Sequence, residues 1–214
     1  MLEAYYAWAP PQAWRDVPGE KLSAYRLERL KRIKPDRQRD LSLCAELLLI
    51  DALNDLSPVA LPLDIYTERG GKPRLREGPC FSLSHSGELA FCALSDAELG
   101  ADVQKLPERE PEPRLLERCL SESERQMYLK SGNRLALFTI LWSLKESYAK
   151  MDGAGLGPLH PAQIAIELFQ PGRAAVTGSG AKLWYCVRGD YVFSICSEKY
   201  EKPQRISELN YRIK

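Results

Sequence analysis

Chemistry is concentrated first in the segment Leu141-Trp142-Ser143-Leu144-Lys145-Glu146-Ser147-Tyr148-Ala149-Lys150. At helical spacing Trp142, Glu146 and Lys150 share one stripe, and Lys145 lies beside it. One carboxylate with two amines suits a magnesium–phosphate site, with oxygen for the hard ion and ammonium groups for the phosphates. The same pattern also describes an ordinary amphipathic helix, whose exposed Glu146–Lys150 pair would contribute only about 0.3 kcal/mol.

A second carboxylate stands in Gly100-Ala101-Asp102-Val103-Gln104. On a strand, Asp102 and Gln104 point to one face and Ala101 and Val103 to the other. A carboxylate on the inner face of such a strand is costly unless a cation meets it. Read alone, an aspartate at a strand end is more often a turn former or a salt-bridge partner. A third piece, Phe81-Ser82-Leu83-Ser84-His85-Ser86-Gly87, sets hydroxyls, a histidine and a glycine where a strand ends. Such a combination can bring hydroxyls and backbone N–H groups to a phosphate, although a lone histidine is often structural. A fourth is the basic run Arg26, Arg29, Lys31, Arg32, Lys34, Arg37 and Arg39, with Lys72 beyond it. Most such runs are solvated helix faces, yet Arg26 and Arg29 at i and i+3 can grip one phosphate.

The elements that must position these groups follow from patterning. Pro35 divides a helix-rich region into helices over 20–33 and 36–54. Gly70-Gly71-Lys72-Pro73 is a turn. Strands are expected over 81–84, 89–94 and 99–103, and the Pro- and Glu-rich stretch 106–114 as an exposed loop. Ser121 and Glu124 match a capping box. A long helix over 135–150 stops before Gly153, and strands over 163–169, 174–176, 183–187 and 191–196 complete a mixed α+β pattern. No internal repeat is visible in the sequence.

Composition narrows the function classes. The 214 residues carry 28% charged side chains but a net charge of only +1, so positive potential must be local and a nucleic-acid module is disfavoured. The six cysteines show no C-x-x-C spacing and there are two histidines, which argues against a zinc site. The opening MLEAYYAWAPP lacks a basic start and a long apolar stretch, and no window reaches the length of a membrane span. The expectation is a cytoplasmic, membrane-free protein with reduced thiols.

In order and spacing, Gly71-Lys72-Pro73, the 81–87 motif, Gly100-Ala101-Asp102 and the Trp142 to Lys150 motif together resemble the Sfp-type 4′-phosphopantetheinyl transferase family. The ordered motifs run from Gly71 to Gly155, and the basic segment with Ser42 fits upstream. The resemblance implies a monomer of two similar α/β subdomains, 1–98 and 99–214, related by a pseudo-twofold axis, with the active site in the cleft between them. It implies transfer of the phosphopantetheine arm of coenzyme A to a serine of an apo acyl or peptidyl carrier protein, releasing adenosine 3′,5′-bisphosphate. Asp102 and Glu146 are then the ligands of magnesium, or of manganese in its place, with Gln104 a weak ligand or one acting through water. Ser84, His85, Arg26, Arg29, Lys72 and Ser42 are implied at the 3′-phosphate of the coenzyme, and Lys145 and Lys150 at its pyrophosphate. Glu146, with Asp102 beside it, readies the serine, and Lys150 serves the leaving phosphate.

One residue departs from the family pattern. Many members carry an acid at the place of Gln104, and a neutral amide is a weaker magnesium ligand and a poor base. The alternative reading is a non-catalytic paralogue that binds coenzyme A or carrier proteins. An acyltransferase would need a Ser-His-Asp or Cys-His pairing, which the sequence does not offer.

Overall fold

The computed structural model describes residues 1–9, 17–68, 71–153, 160–169, 171–200 and 202–209. Gly70 of the expected turn and Gly155 at the end of the motif region lie outside the described residues. Strand β1 (Leu2–Trp8) is followed by helices α1 (Ala24–Arg32) and α2 (Asp36–Leu56), a small hairpin β2 (Ile65–Thr67) and β3 (Pro73–Leu75), and strands β4 (Cys80–Ser86), β5 (Leu89–Ser95) and β6 (Leu99–Lys105). Then come α3 (Pro113–Cys119), α4 (Glu122–Lys130), α5 (Arg134–Asp152) and strands β7 (Ile166–Leu168), β8 (Arg173–Val176), β9 (Lys182–Arg188), β10 (Tyr191–Ser197) and β11 (Ile206–Glu208).

Local chemistry explains most boundaries. Ser23 caps α1 by accepting from the Arg26 N–H, and Pro35 precedes α2, where its missing N–H costs nothing. The capping box forms in both directions: Ser121 Oγ accepts from Glu124 N at 3.3 Å, and Ser121 N donates to Glu124 Oε2 at 2.7 Å. Helix α5 starts at the Asn133 cap and ends at Gly153, whose φ of 83° is open to glycine at little cost.

Several elements escaped the sequence reading. The stretch expected as a loop ends in α3, because Pro113 occupies a first-turn position that tolerates proline. Strand β1 lacks a period of two because it is covered on both faces, and the three-residue β11 takes its identity from parallel pairing with β1.

Among the described residues two larger sheets result, in the orders β11-β1-β5-β4 and β6-β10-β9-β8-β7, beside the two-stranded β2-β3 hairpin. Their cores repeat one plan. In the first, β1 leads through α2 to the β4–β5 hairpin, and β1 pairs antiparallel with the hairpin's second strand. In the second, β6 leads through α5 to the β9–β10 hairpin, and β6 pairs with β10 in the same way. The fold is therefore α+β with two similar halves, a repeat carried by topology.

Helix α2 buries Leu41, Cys44, Ala45, Leu48, Leu49, Ala52 and Leu53 against the first sheet, an i, i+3, i+4 stripe. Each buried leucine there contributes about 2 kcal/mol of transfer free energy. Helix α5 covers the second sheet with Leu141 and Leu144. A third cluster, including Phe91, Val103, Phe193 and Ile195, fills the space between the sheets and joins the halves. Among the described residues, no helix is long and apolar enough to cross a membrane.

Candidate active site

The two halves meet where β4 runs beside β6, and alternate serines of β4 close the seam. Ser82 Oγ accepts from Ala101 N at 2.9 Å, Ser84 Oγ donates to Asp102 Oδ1 at 2.7 Å, and Ser86 Oγ accepts from Lys105 N at 3.0 Å. The period of two puts all three hydroxyls on the face toward β6. Asp102, 1% exposed, is thereby fixed in the middle of the seam.

Helix α5 lies against the same strand because Gly100 has no side chain. A Cβ there would stand 1.9 Å from Ser147 O and 2.4 Å from Met151 N. The close approach delivers Lys150, whose Nζ donates to Asp102 Oδ1 at 2.6 Å and to Ser84 Oγ at 2.9 Å. Gln104 Nε2 donates to the other carboxylate oxygen, Asp102 Oδ2, at 3.0 Å. One turn back on α5, Glu146 lines the same cleft. Burial, and then the charge of Asp102, raise its carboxyl above the usual range, against the pull of Lys150.

The opposite wall is basic. The cleft, of about 500 Å³, is lined there by Tyr25, Arg26, Arg29 and His85. Arg26 is nearly buried and fixed by Nε to Glu46 Oε2 at 3.1 Å and by Nη1 to Ser42 Oγ at 2.7 Å. Glu46 also accepts from Ser23 N and Ser23 Oγ, so the start of α1 is bound to the middle of α2. A guanidinium has donors to spare after two such bonds. Burial first, then the positive charges of Lys150, Arg26 and Arg29, push the His85 imidazole down to about 4. It is neutral near pH 7, in a wall that is otherwise cationic. Carboxylates and cations gathered in one cleft are the kinds of group that can meet a polyphosphate and a counter-ion.

Comparison with known proteins shows the family to which the chain is similar. The model of the 4′-phosphopantetheinyl transferase superfamily matches residues 98–196. The chain is 33% identical to the 4′-phosphopantetheinyl transferase psf-1 of Bacillus pumilus over 54% of this chain and 51% of that protein. It is 28% identical to the 4′-phosphopantetheinyl transferase Sfp of Bacillus subtilis over 68% of this chain and 67% of that one. It is 30% identical to the putative 4′-phosphopantetheinyl transferase slr0495 of Synechocystis over 73% of this chain and 68% of that protein. The chain belongs to the 4′-phosphopantetheinyl transferase superfamily. The matched stretches span about half to two thirds of these relatives' own length.

Of the residues that the resemblance to the transferase family implies, the cleft brings together Asp102, Gln104, Glu146, Lys150, Ser84, His85, Arg26 and Arg29. Lys72 also lines the cleft, whereas Lys145 and Ser42 are not among its lining residues. Lys145 does not face the cleft: it is fully buried on the far side of α5, where Nζ donates to Cys119 O at 2.7 Å, Glu124 Oε2 at 2.6 Å and Pro161 O at 3.0 Å. Its position next to Glu146 in sequence turns it about 100° around the helix, away from that residue. Lys72 reaches the cleft wall, but its ammonium is committed to Glu98, Leu99 O and Met151 O. Ser42 is fully buried and acts on the cleft through Arg26.

The transferase motifs gave no notice of Tyr25, Glu46, Glu98 or Glu124. Glu46 had a signal, since it is the one charged residue in the apolar run Leu43 to Ile50 and must be paired if buried. Glu124 was read only as a capping residue, yet its carboxylate also accepts from Lys145 and from Ile166 N.

Proposed function

We propose that this protein transfers the 4′-phosphopantetheine arm of coenzyme A to a serine hydroxyl of an apo acyl or peptidyl carrier protein and releases adenosine 3′,5′-bisphosphate. The observation that carries this reading is the Asp102–Ser84–Lys150 triangle with Glu146 beside it, facing Arg26, Arg29 and His85 across one cleft. Half 1–98 then takes the 3′-phosphate and half 99–214 the pyrophosphate.

The donor set fits magnesium. Asp102 and Glu146 offer two carboxylates and Gln104 an amide, hard oxygen donors that leave room for phosphate oxygens and water. The Lys150 ammonium on Asp102 Oδ1 marks this as a point where a cation is needed. When bound, magnesium would neutralise charge on the pyrophosphate and on the departing bisphosphate.

The chain's own residues supply the rest. Arg26, Arg29 and His85 anchor the 3′-phosphate and orient the pyrophosphate toward the acid pair. The carrier serine oxygen bonds to the β-phosphorus as the bond from that phosphorus to the bridging oxygen breaks. Asp102 is engaged by Lys150, Ser84 and Gln104, so Glu146 is the carboxylate free to take the serine proton, directly or through water. Lys150 stabilises or protonates the leaving phosphate oxygen. The test is chromatographic: adenosine 3′,5′-bisphosphate appears only when apo carrier, coenzyme A and magnesium are all present. Its failure to appear with any carrier of a varied panel would turn the reading to a non-catalytic binder.

A further inference from the structure

Lys72 is built into the joint between the halves. An ammonium has three N–H donors, and here each has an acceptor: Glu98 Oε2 at 2.9 Å, Leu99 O at 3.0 Å and Met151 O at 2.9 Å. Leu99 is the first residue of β6, and Met151 is the last but one of α5. Its carbonyl is among the four that a helix end leaves unpaired, where a positive charge is also favoured by the helix dipole. Glu98 holds Arg74 of β3 as well, so the β2–β3 hairpin is drawn into the same joint.

We infer that Lys72 is a positioning residue, a latch that presses the end of α5 onto the start of β6 so that Lys150 and Glu146 face Asp102. This inference rests on the transferase reading above and gives Lys72 a different task from holding the coenzyme's 3′-phosphate. The latch and the closest helix–strand approach lie at the same end of the interface. Gly100 follows Leu99, and a Cβ on it would meet Ser147 O and Met151 N. Gly153 then passes against the Lys72 stem, where a Cβ would lie 3.5 Å from Lys72 Cβ. Lys150 immediately precedes Met151, so loosening Met151 O frees the last turn of α5 and draws Lys150 Nζ from Asp102. A phosphate could take a donor from Lys72 only by breaking one of these three bonds.

The two roles separate kinetically. Lys72→Met, assayed with coenzyme A and with dephospho-coenzyme A, is expected to lower kcat about 10- to 100-fold by the same factor for both substrates. The wild-type preference for coenzyme A, as the ratio of kcat/KM values, is retained. Loss of that preference with kcat preserved would make Lys72 a phosphate contact and overturn the latch; so would wild-type constants for both substrates. Should Lys72→Met fail to fold, the decision passes to Glu98→Gln, which keeps the side-chain shape. A fall in kcat with preference retained upholds the latch, and an unchanged kcat overturns it. A wild-type protein that transfers nothing would overturn the reaction and the latch with it, whereas active wild type with the contrary pattern overturns the latch alone.

Discussion

Lys150 Nζ lies 2.6 Å from Asp102 Oδ1, and both groups share Ser84 Oγ. A helix of the second half, its first strand and a strand of the first half therefore converge on one carboxylate. A buried carboxylate is tolerated only with such a cation or hydrogen-bond donors. On the proposed reaction the acid pair is the centre of the site, so Asp102→Ala and Glu146→Ala should each lower the transfer rate by roughly a thousandfold or more. Gln104→Ala should cost about tenfold, since its amide contacts Asp102 Oδ2 and adds a weak donor. Steady-state kinetics at saturating magnesium measures all three. Complete loss in Gln104→Ala with an intact circular-dichroism spectrum would mean that the metal lies elsewhere.

His85 sets a pH dependence whose sign is fixed by its environment. Its folded value of about 4 lies below the ordinary histidine value, so the unfolded chain takes up a proton that the folded chain refuses. This contribution to stability is complete above the unfolded value of about 6.5 and is lost as pH falls toward about 4. His85→Ala should accordingly flatten the decline in melting temperature over that range. A phosphate placed beside the ring raises its proton affinity, so coenzyme A binding should take up protons. Calorimetry in buffers of different ionisation heats reads this uptake, which His85→Ala should reduce; equal uptake in the two proteins would remove His85 from the site.

Much of this was legible before the structure because the groups lie on regular elements. Glu146 and Lys150 share a helix stripe, so spacing alone pointed them at a common target, whereas Ser86 falls past the strand expected over 81–84 and joins the seam only because β4 runs on to it. The β-strand face also made Asp102 and Gln104 neighbours. What spacing could not reveal was the partner across the fold. Lys145 looks as catalytic as Lys150 in sequence, and only the packing of Cys119, Glu124 and Pro161 on the far side of α5 shows its true environment. Lys72 reads as a free cation until Glu98, Leu99 and Met151 meet around it. The two similar halves were implied by the family resemblance but left no repeat in the residues themselves, because the repeat resides in strand pairing.

The fully buried Lys145–Glu124 pair belongs to stability. Removing the ammonium leaves Glu124 charged in the core, with two main-chain carbonyls also short of a donor. Lys145→Met should therefore cost about 3–5 kcal/mol in urea denaturation. A cost near zero would contradict the geometry of this pair.

Gly100 is the one position in β6 where a methyl group cannot be accommodated without moving α5. Gly100→Ala meets the Ser147 carbonyl, so it should reduce stability by about 1–3 kcal/mol and slow transfer by separating Lys150 from Asp102. Denaturant melts and kinetics on the same preparation test both effects; wild-type values in both would show that the interface yields freely.

The central claim is a transfer reaction carried out at the acid pair, and the mass of the carrier tests it most directly. Intact-protein mass spectrometry of an apo carrier, after incubation with coenzyme A, magnesium and this protein, should show the addition of one phosphopantetheine arm on its serine. The same incubation with Asp102→Ala should leave the carrier unmodified. If no carrier of an acyl and peptidyl panel gains that mass with the wild-type protein, or if Asp102→Ala loads it as fast as wild type, the account is contradicted.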